Sequence, residues 1–590
     1  MSASTSSSAR QPTPIDAIAE KWVTTMADLN PDVAVWVGIP GRLGEYADYS
    51  PAGQDAELAA GNAVIAELES ATPVDSVDEV TKTDLLAELR LSAEYHAAKL
   101  HERDVNVIAS PAQGIRDTFD LMPTATEADW ATIAEKLGNL PGAVDGYIQT
   151  LRQGISDGVV PARRQVIETA TGVRRHADPL GFFFDFTGSA ALEGGGALPD
   201  SLKSKLHKGA QASAAAYAKL AEFLELELAP KASEQDGVGR ELYTLQSRRF
   251  LGAEIDLDET YDWGREELAR MVEEQTAIAD QITPGASVEE AIAFLEADES
   301  NKLHGTDELQ KWMQQLADQA VSELSGTHFD IPDEIKKIEC MIAPTQEGGI
   351  YYTSPNDDFS RPGRMWWSVP EGVTEFDTWR ETTTVYHEGV PGHHLQLGQA
   401  VYNRAMLNTW RRSLAGTSGH AEGWALYAER LMQELGYLDD PADRLGMLDG
   451  QRMRAARVVL DIGVHLKKPA DRLGMLDGQR MRAARVVLDI GVHLGKPNLA
   501  GTGPWTADDA LEFMRANVNM NDSFIRFEVN RYLGWPGQAP SYKVGQRIWE
   551  QLRDEVKKRE GAAFDIKAFH KRALDLGGVG LDTLRKSLLA

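Results

Sequence analysis

The sequence is short of cysteine, of positive charge and of long apolar runs. Cys340 is the one cysteine among 590 residues, which excludes an internal disulfide and favours a reducing, cytoplasmic location. It lies in an apolar, strand-like run, so we interpret it as a core residue and not as a nucleophile. No stretch reaches the roughly 18 apolar residues that a membrane span requires.

Negative charge dominates the composition. Lys and Arg number 60 against 90 Asp and Glu, a net charge of -30. Nucleic-acid binding needs a basic surface, so this balance argues against it, and it also disfavours anionic membrane surfaces. The simplest interpretation is a soluble protein kept apart from its neighbours by charge. An acidic cleft that attracts metal ions or cationic substrates is the alternative.

The chain reads as one large domain after a short tail. Residues 1–12 are rich in Ser and Thr, so we expect a disordered tail and not a signal peptide. Residues 13–590 then predict a single two-lobed domain, mainly helical over 13–335. Over 336–590 we expect a small sheet, the functional site and C-terminal helices. Apolar residues at three- and four-residue spacing predict the helices Ile15–Leu29, Val77–Arg103, Leu202–Leu228, Glu259–Ile282 and Val288–Leu295.

Three short apolar runs, at 340–344, 349–353 and 365–369, predict a small β-sheet. Such a sheet, placed just before the motif described next, would offer an edge to which an extended peptide can add. A purely structural hairpin is the other interpretation.

The most informative motif pairs His387 with Glu388 and, six residues on, His393 with His394. Imidazole nitrogens bind zinc at about 2.0–2.1 Å, and a carboxylate beside the first ligand can accept a proton from a metal-bound water. The pattern is a variant of the zinc-peptidase signature His-Glu-x-x-His. A polar helix end with solvated histidines is the alternative.

The spacing of this variant requires a break in the helix. A step of six residues places His393 about 120° from the face of His387, and a step of seven places His394 about 10.5 Å along the axis. Pro391 and Gly392 lie between them and are the residues that break helices. We therefore expect a kink that returns one of the two histidines to His387, and the spacing does not decide which.

A second motif supplies a third ligand. Residues 419–430 predict a helix with two carboxylates, Glu422 and Glu429, seven residues apart on one face. Glu422 is nearer the helix start, which suits a metal ligand. Glu429 is either a surface partner of Arg430 or an acceptor for a ligand imidazole.

The block 531–545 provides the remaining chemistry. A tetrahedral intermediate needs a second electrophile, and a tyrosine hydroxyl from Tyr542 or Tyr532 would serve, with Tyr542 preferred because it is flanked by Ser541 and Lys543. Arg531, beside Tyr532, could bind a C-terminal carboxylate. A structural turn is the alternative for the whole block.

A tandem repeat lies between the helix predicted over 419–430 and the block 531–545. Residues 441–468 and 469–496 are the same 28 residues apart from Lys467 against Gly495. Repeat proteins diverge and have three or more units, so two near-identical copies indicate a recent duplication or an error in the record. We expect one copy to pack natively, favouring the second, and the other to be surplus. In the second copy, Arg485, Asp489 and His493 follow one another at four-residue spacing and form a polar stripe on one helix face. This stripe either faces the cleft or forms a buried brace.

Together these blocks resemble the bacterial domain-of-unknown-function family 885, over most of the chain. That family is similar in fold to thermostable zinc carboxypeptidases and, more remotely, to angiotensin-converting-enzyme-like peptidases, which are mostly helical with a deep cleft. The resemblance implies His387, His393 and Glu422 as metal ligands and Glu388 as the base. It also implies that an arginine of the repeat helix, taken as Arg485, helps to bind substrate.

The first hypothesis is therefore a zinc-dependent peptidase acting on short peptides, most simply a carboxypeptidase, with one divalent cation per chain. Glu388 would act as base and then protonate the leaving amine. A second hypothesis keeps the metal but takes a small non-peptide amide or a carbon–nitrogen bond as substrate. A third is a helical binding protein without catalysis. The sequence leaves the oligomeric state open.

Overall fold

Helices form most of the chain in the computed structural model, which describes residues 10–343, 350–369, 372–437, 470–518 and 522–590. The first half contains α1–α13, which are Pro14–Leu29, Pro31–Val37, Pro51–Ser70, Ser76–Ala97, Pro111–Asp117, Glu127–Asp157, Arg163–His176, Phe182–Gly188, Asp200–Phe223, Arg240–Leu251, Leu257–Ile282, Val288–Glu296 and Thr306–Leu324. The second half contains α14–α23, which are Thr378–Glu388, His393–Tyr402, Thr409–Ser413, Ser418–Glu434, Ala470–His493, Ala507–Asn517, Asp522–Gly534, Gln538–Glu560, Ile566–Leu574 and Leu581–Leu589.

Local sequence explains where several of these helices begin. Pro14, Pro31, Pro51 and Pro111 each occupy the first helical turn, where the missing amide donor costs nothing. The five helices expected from apolar spacing are present, and the mainly helical fold is confirmed. The expected helix over 77–103 ends earlier, because Lys99 adopts a left-handed conformation (φ 55°) and a short 3-10 turn follows.

The predicted sheet is present and has three strands. They are β2 Ile338–Ile342, β3 Ile350–Thr353 and β4 Gly363–Trp367, and β4 lies in the middle, parallel to β2 and antiparallel to β3. It is therefore more than a hairpin. A separate antiparallel pair joins β1 Lys302–His304 to β5 Glu375–Asp377, and β5 runs directly into α14.

Buried side chains form several apolar clusters. One lies within residues 105–229, beneath helices of the first half. The largest combines residues 243–335 with residues 379–584, so its members come from both sides of the expected lobe boundary at 335. The sheet packs on α13 and α14 through a smaller cluster that contains Cys340, Met365 and Val385. Cys340 is 2% exposed, as expected for a core residue.

Part of the expected disordered tail is anchored. Arg10 forms ion pairs with Asp16, Asp75 and Asp78, and its backbone amide donates to the carbonyl of Ala405. Residues 1–9, and the whole of the first repeat copy at 441–468, lie outside the described residues. No helix among those described is long and apolar enough to cross a membrane.

Candidate metal centre

The helix that carries His387 ends where the sequence predicts a break. Helix α14 stops at Glu388, residues 389–392 form a turn, and α15 begins at His393. The amide of Gly392 donates to the carbonyl of Tyr386 (3.0 Å), which folds the turn back on the helix. The indole Nε1 of Trp424 donates to the carbonyls of Pro391 (3.0 Å) and Gly392 (3.2 Å) and fixes the turn to α17.

This turn brings three potential ligands together. The side-chain donors of His387, His393 and Glu422 all lie within 4.8 Å of one another. Glu422 Oε2 lies 3.2 Å from His387 Nε2 and 3.7 Å from His393 Nε2. Ligands at about 2.0–2.2 Å from a tetrahedral ion lie roughly 3.3–3.6 Å apart, so small rotations would fit these donors to one zinc ion.

The triad is largely buried. His387 is 1% exposed and His393 9%, whereas the side chain of Glu422 retains 22% exposure. Burial raises the pKa of Glu422, but hydrogen bonds and charges from the two imidazoles outweigh burial and hold that pKa well below its usual range. The carboxylate is therefore ionised, as a metal ligand must be.

His394 has a different place from its neighbour. Its Nε2 lies 2.6 Å from the carbonyl of Ile335, so Nε2 carries the proton and Nδ1 accepts from the hydroxyl of Tyr352 (2.9 Å). Burial lowers the pKa of His394 to about 4. Both ring nitrogens are engaged, one with the segment before β2 and one with β3, so His393 is the histidine that the turn directs to His387.

Glu429 takes the second of the two roles that the sequence left open. Its Oε1 lies 2.6 Å from Nδ1 of His387, and its Oε2 accepts from the hydroxyl of Thr383 (3.0 Å). Because Nδ1 faces a carboxylate, it carries a proton, and Nε2 would present its lone pair to a bound metal ion in place of the proton that it donates to Glu422 in the metal-free chain. Glu429 is 1% exposed, so it is not a surface partner of Arg430.

Tyr542 lies within electrostatic range of the triad. Burial and the charge of Glu422 raise its pKa to about 12, while the charges of Arg531, Arg485 and Arg482 act in the opposite direction. The guanidinium of Arg482 lies over the Tyr542 ring at 5.2 Å from its centroid. The catalytic base expected from the sequence, Glu388, is 3% exposed at the end of α14, next to His387.

The three expected substrate-binding residues, Arg485, Arg531 and Tyr532, all contact the carboxylate of Glu528. The sequence analysis did not identify Glu528. Glu528 accepts hydrogen bonds from Arg485 Nη2 (2.6 Å), from Arg531 Nε (3.0 Å) and Nη2 (2.9 Å), and from the Tyr532 hydroxyl. Burial raises the pKa of Glu528, but the two guanidinium groups outweigh it and bring that pKa to about 2. Glu528 precedes Arg531 by three residues on one helix, and that spacing was a readable signal.

The rest of the repeat stripe forms a buried brace. The carboxylate of Asp489 accepts from the Tyr243 hydroxyl (2.6 Å), and Nε2 of His493 donates to the carbonyl of Tyr532 (3.1 Å). Arg485 pairs with Glu528 and not with Asp489 of its own stripe. Arg482, three residues before Arg485, was also missed, although it lies on the same helix face.

A large cavity of about 1410 Å³ lies apart from the triad. Helices α4 and α10, the first residues of α17 and the segment 533–538 line it, and none of the three candidate ligands does. Among its charged residues, Glu88 has its pKa raised to about 8 by burial and by the charge of Asp84. The deep cleft expected at the metal remains a prediction.

Comparison with known proteins places the chain among uncharacterised relatives. The model of a family described as "Bacterial protein of unknown function (DUF885)" matches residues 31–469 and 466–588. No curated protein matches the chain.

Solved structures share the fold at low sequence identity. A protein of Colwellia psychrerythraea described as a lipoprotein is 20% identical, with a TM-score of 0.80 over 98% of both chains. A lipoprotein of unknown function from Shewanella oneidensis is 17% identical, with a TM-score of 0.72 over 98% of this chain and 100% of its own. A Pyrococcus furiosus carboxypeptidase is 13% identical over 99% of this chain and 97% of its own, but its TM-score of 0.37 is too low to carry an argument.

The comparison corrects the expected location. Two solved proteins that share the fold are described as lipoproteins, so the assignment to the cytoplasm is wrong. The inference failed because a single cysteine excludes an internal disulfide without specifying a compartment.

Proposed function

The chain belongs to the DUF885 family, whose function is unknown, and we propose that it is a zinc-dependent hydrolase that cleaves peptide bonds of short peptides. A carboxypeptidase is the most economical form of this proposal. The observation that carries it is the convergence of His387, His393 and Glu422, whose donor atoms lie within 4.8 Å of one another although they come from three different helices.

The donor set supports zinc. Two imidazoles and one carboxylate are the ligands of known zinc hydrolases, in which a fourth position is left for water or substrate. The bond from His387 Nδ1 to Glu429 supports the same assignment, because ligand imidazoles in metal sites commonly donate their second N–H to a carboxylate. A zinc ion bound here would lower the pKa of a coordinated water and polarise the scissile carbonyl.

Glu388 is the proposed base. It accepts the proton of the attacking water and then delivers that proton to the nitrogen of the leaving amine, so that one carboxylate serves both steps. Its place next to His387, at the end of α14, and its burial support this role.

Tyr542 is the proposed donor to the oxyanion. Its hydroxyl remains protonated at neutral pH, because its pKa is raised to about 12, so it is available to donate a hydrogen bond. Arg531, Tyr532 and Arg485 are proposed to bind a substrate carboxylate. In this arrangement the substrate competes with Glu528, which already pairs with both guanidinium groups.

Metal analysis and a peptide-library digest test the proposal together. We expect about one zinc per chain, and chelation should remove both the metal and the hydrolysis of short peptides. Glu388→Gln should retain the metal but lose at least about 100-fold in kcat, because general-base catalysis contributes roughly that factor. Glu422→Gln should lose the metal as well.

Three outcomes contradict the proposal in different ways. Full activity of Glu388→Gln would remove that residue from the mechanism. Stoichiometric metal without hydrolysis of any peptide would favour a non-peptide amide or carbon–nitrogen substrate. A chain that binds no metal would favour a binding protein without catalysis. Asp262→Asn is a suitable control, because this side chain is 70% exposed and touches none of these groups.

A further inference from the structure

The second repeat copy fills a tightly fitting groove. Helix α18 spans Ala470–His493, and its apolar side chains from Met481 to Val492 are 5% exposed or less. A Cβ built on Gly264 of α11 would lie 2.7 Å from Val486 Cγ1, and one on Gly491 would lie 2.8 Å from the Trp505 ring. The groove formed by α11, α19 and their neighbours is therefore shaped for this one sequence.

The chain contains that sequence twice. Each side chain that α18 buries has an identical counterpart 28 residues earlier, so that Val458 corresponds to Val486 and Asp461 to Asp489. Lys468 and Pro469 likewise correspond to Lys496 and Pro497. We propose that the groove is an interaction surface with two interchangeable occupants, and that the two copies compete for it within one molecule.

The two arrangements cost similar chain entropy. With the second copy in the groove, residues 438–469 lie in the sequence between α17 and the bound helix. With the first copy in the groove, residues 469–496 form a segment of similar length after it. The entropy of closing a loop changes only with the logarithm of its length, so this contribution nearly cancels.

The single difference between the copies sets the preference. Gly495 follows the helix in the left-handed conformation, with φ of +62°, and its counterpart is Lys467. A residue with a Cβ is disfavoured there, which favours the second copy by about fivefold or more. The two segments matched by the family model overlap at 466–469, the junction of the copies, which supports one copy being surplus.

A charged residue placed in either copy tests whether the two copies exchange in the groove or whether the second copy alone occupies it. Val486→Asp would bury a carboxylate against Gly264, and Val458→Asp is the matched change in the first copy. In the full chain, Val486→Asp should lower the folding equilibrium constant only about fivefold to thirtyfold, because the first copy takes the groove. Val458→Asp should leave the constant unchanged, and the double variant should unfold.

Val486→Asp in a chain without residues 441–468 is the control, and it should unfold like the double variant. Hydrogen exchange supplies a second measurement, because the substitution makes the two repeat peptides differ in mass. In Val486→Asp, slow exchange should move from the peptide 481–493 to the peptide 453–465. Exchange between the copies is overturned if Val486→Asp in the full chain is destabilised as much as the double variant, or if the peptide 453–465 of Val486→Asp exchanges rapidly.

Discussion

Gly392 is the residue on which the positions of the candidate ligands depend most directly. A Cβ at this position would lie 1.9 Å from the carbonyl oxygen of His387 and 2.5 Å from that of Tyr386. Such contacts lie far inside van der Waals distance, so any larger residue must open the turn that brings His393 to His387.

Gly392→Ala should therefore lose metal binding and about 3 kcal/mol or more of the free energy of unfolding. Zinc titration and urea denaturation measure the two effects. Gly138→Ala is the matched control, because a Cβ there meets nothing within 4 Å and alanine is the better helix former. A Gly392→Ala chain with unchanged zinc affinity would show that the turn does not position the ligands.

Glu429 would act on the proposed metal site through another residue. Its carboxylate fixes the ring and tautomer of His387 from a distance of 2.6 Å. Glu429→Gln keeps the shape but weakens the acceptor, so we expect zinc affinity to fall about 10- to 100-fold while peptide KM changes little. Competition with a zinc-binding dye measures the affinity. Equal affinity in variant and parent would mean that Glu429 only packs against the helix.

At the scale of elements, the repeat gives a prediction about stability and activity. Deleting residues 441–468 or 469–496 yields two chains that differ only in Gly or Lys after helix α18. Both should fold and retain hydrolysis at the parent level or above it. The glycine version should be more stable by about 1 kcal/mol, because of the left-handed position.

Thermal unfolding of the two deletion chains measures this difference, with peptide hydrolysis as the functional assay. Failure of both chains to fold would mean that the extra copy is required, against the expectation that one copy is surplus. Equal stability of both would mean that the left-handed turn after the helix does not form in solution.

The elements also show which structural features the sequence patterns could predict. Apolar spacing predicted long helices such as α1 and α11 to within a few residues, because their periodicity is local. The parallel pairing of β2 with β4 was not predictable, since strands separated by some 25 residues have no local signal for their order.

For the whole molecule, a buried carboxyl group links stability to pH. Burial raises the pKa of Asp489 to about 7 in the folded chain, against about 4 when unfolded, and hydrogen bonds from Tyr243 and Gly537 only partly oppose this. The folded state therefore holds a proton that the unfolded state has lost. The stability that Asp489 contributes is present below about pH 4 and is lost as the pH rises towards 7.

Asp489→Asn removes this titration. Relative to the parent, the free energy of unfolding of the variant should rise between pH 4 and pH 7, by up to roughly 4 kcal/mol. Urea denaturation at several pH values measures the difference, and Asp262→Asn, at an exposed site, should show none. A constant difference between parent and variant over this range would contradict the raised pKa.

The sequence by itself determined the mainly helical fold, the break at Pro391 and Gly392 and the shortlist of ligands, because helix periodicity, proline stereochemistry and ligand chemistry are local properties. Only the tertiary structure placed His393 and not His394 beside His387, paired Glu429 with His387, and turned Arg485 and Arg531 towards Glu528. These outcomes depend on which buried polar groups meet across different helices, and burial requires each of them to find a partner that the linear sequence does not name.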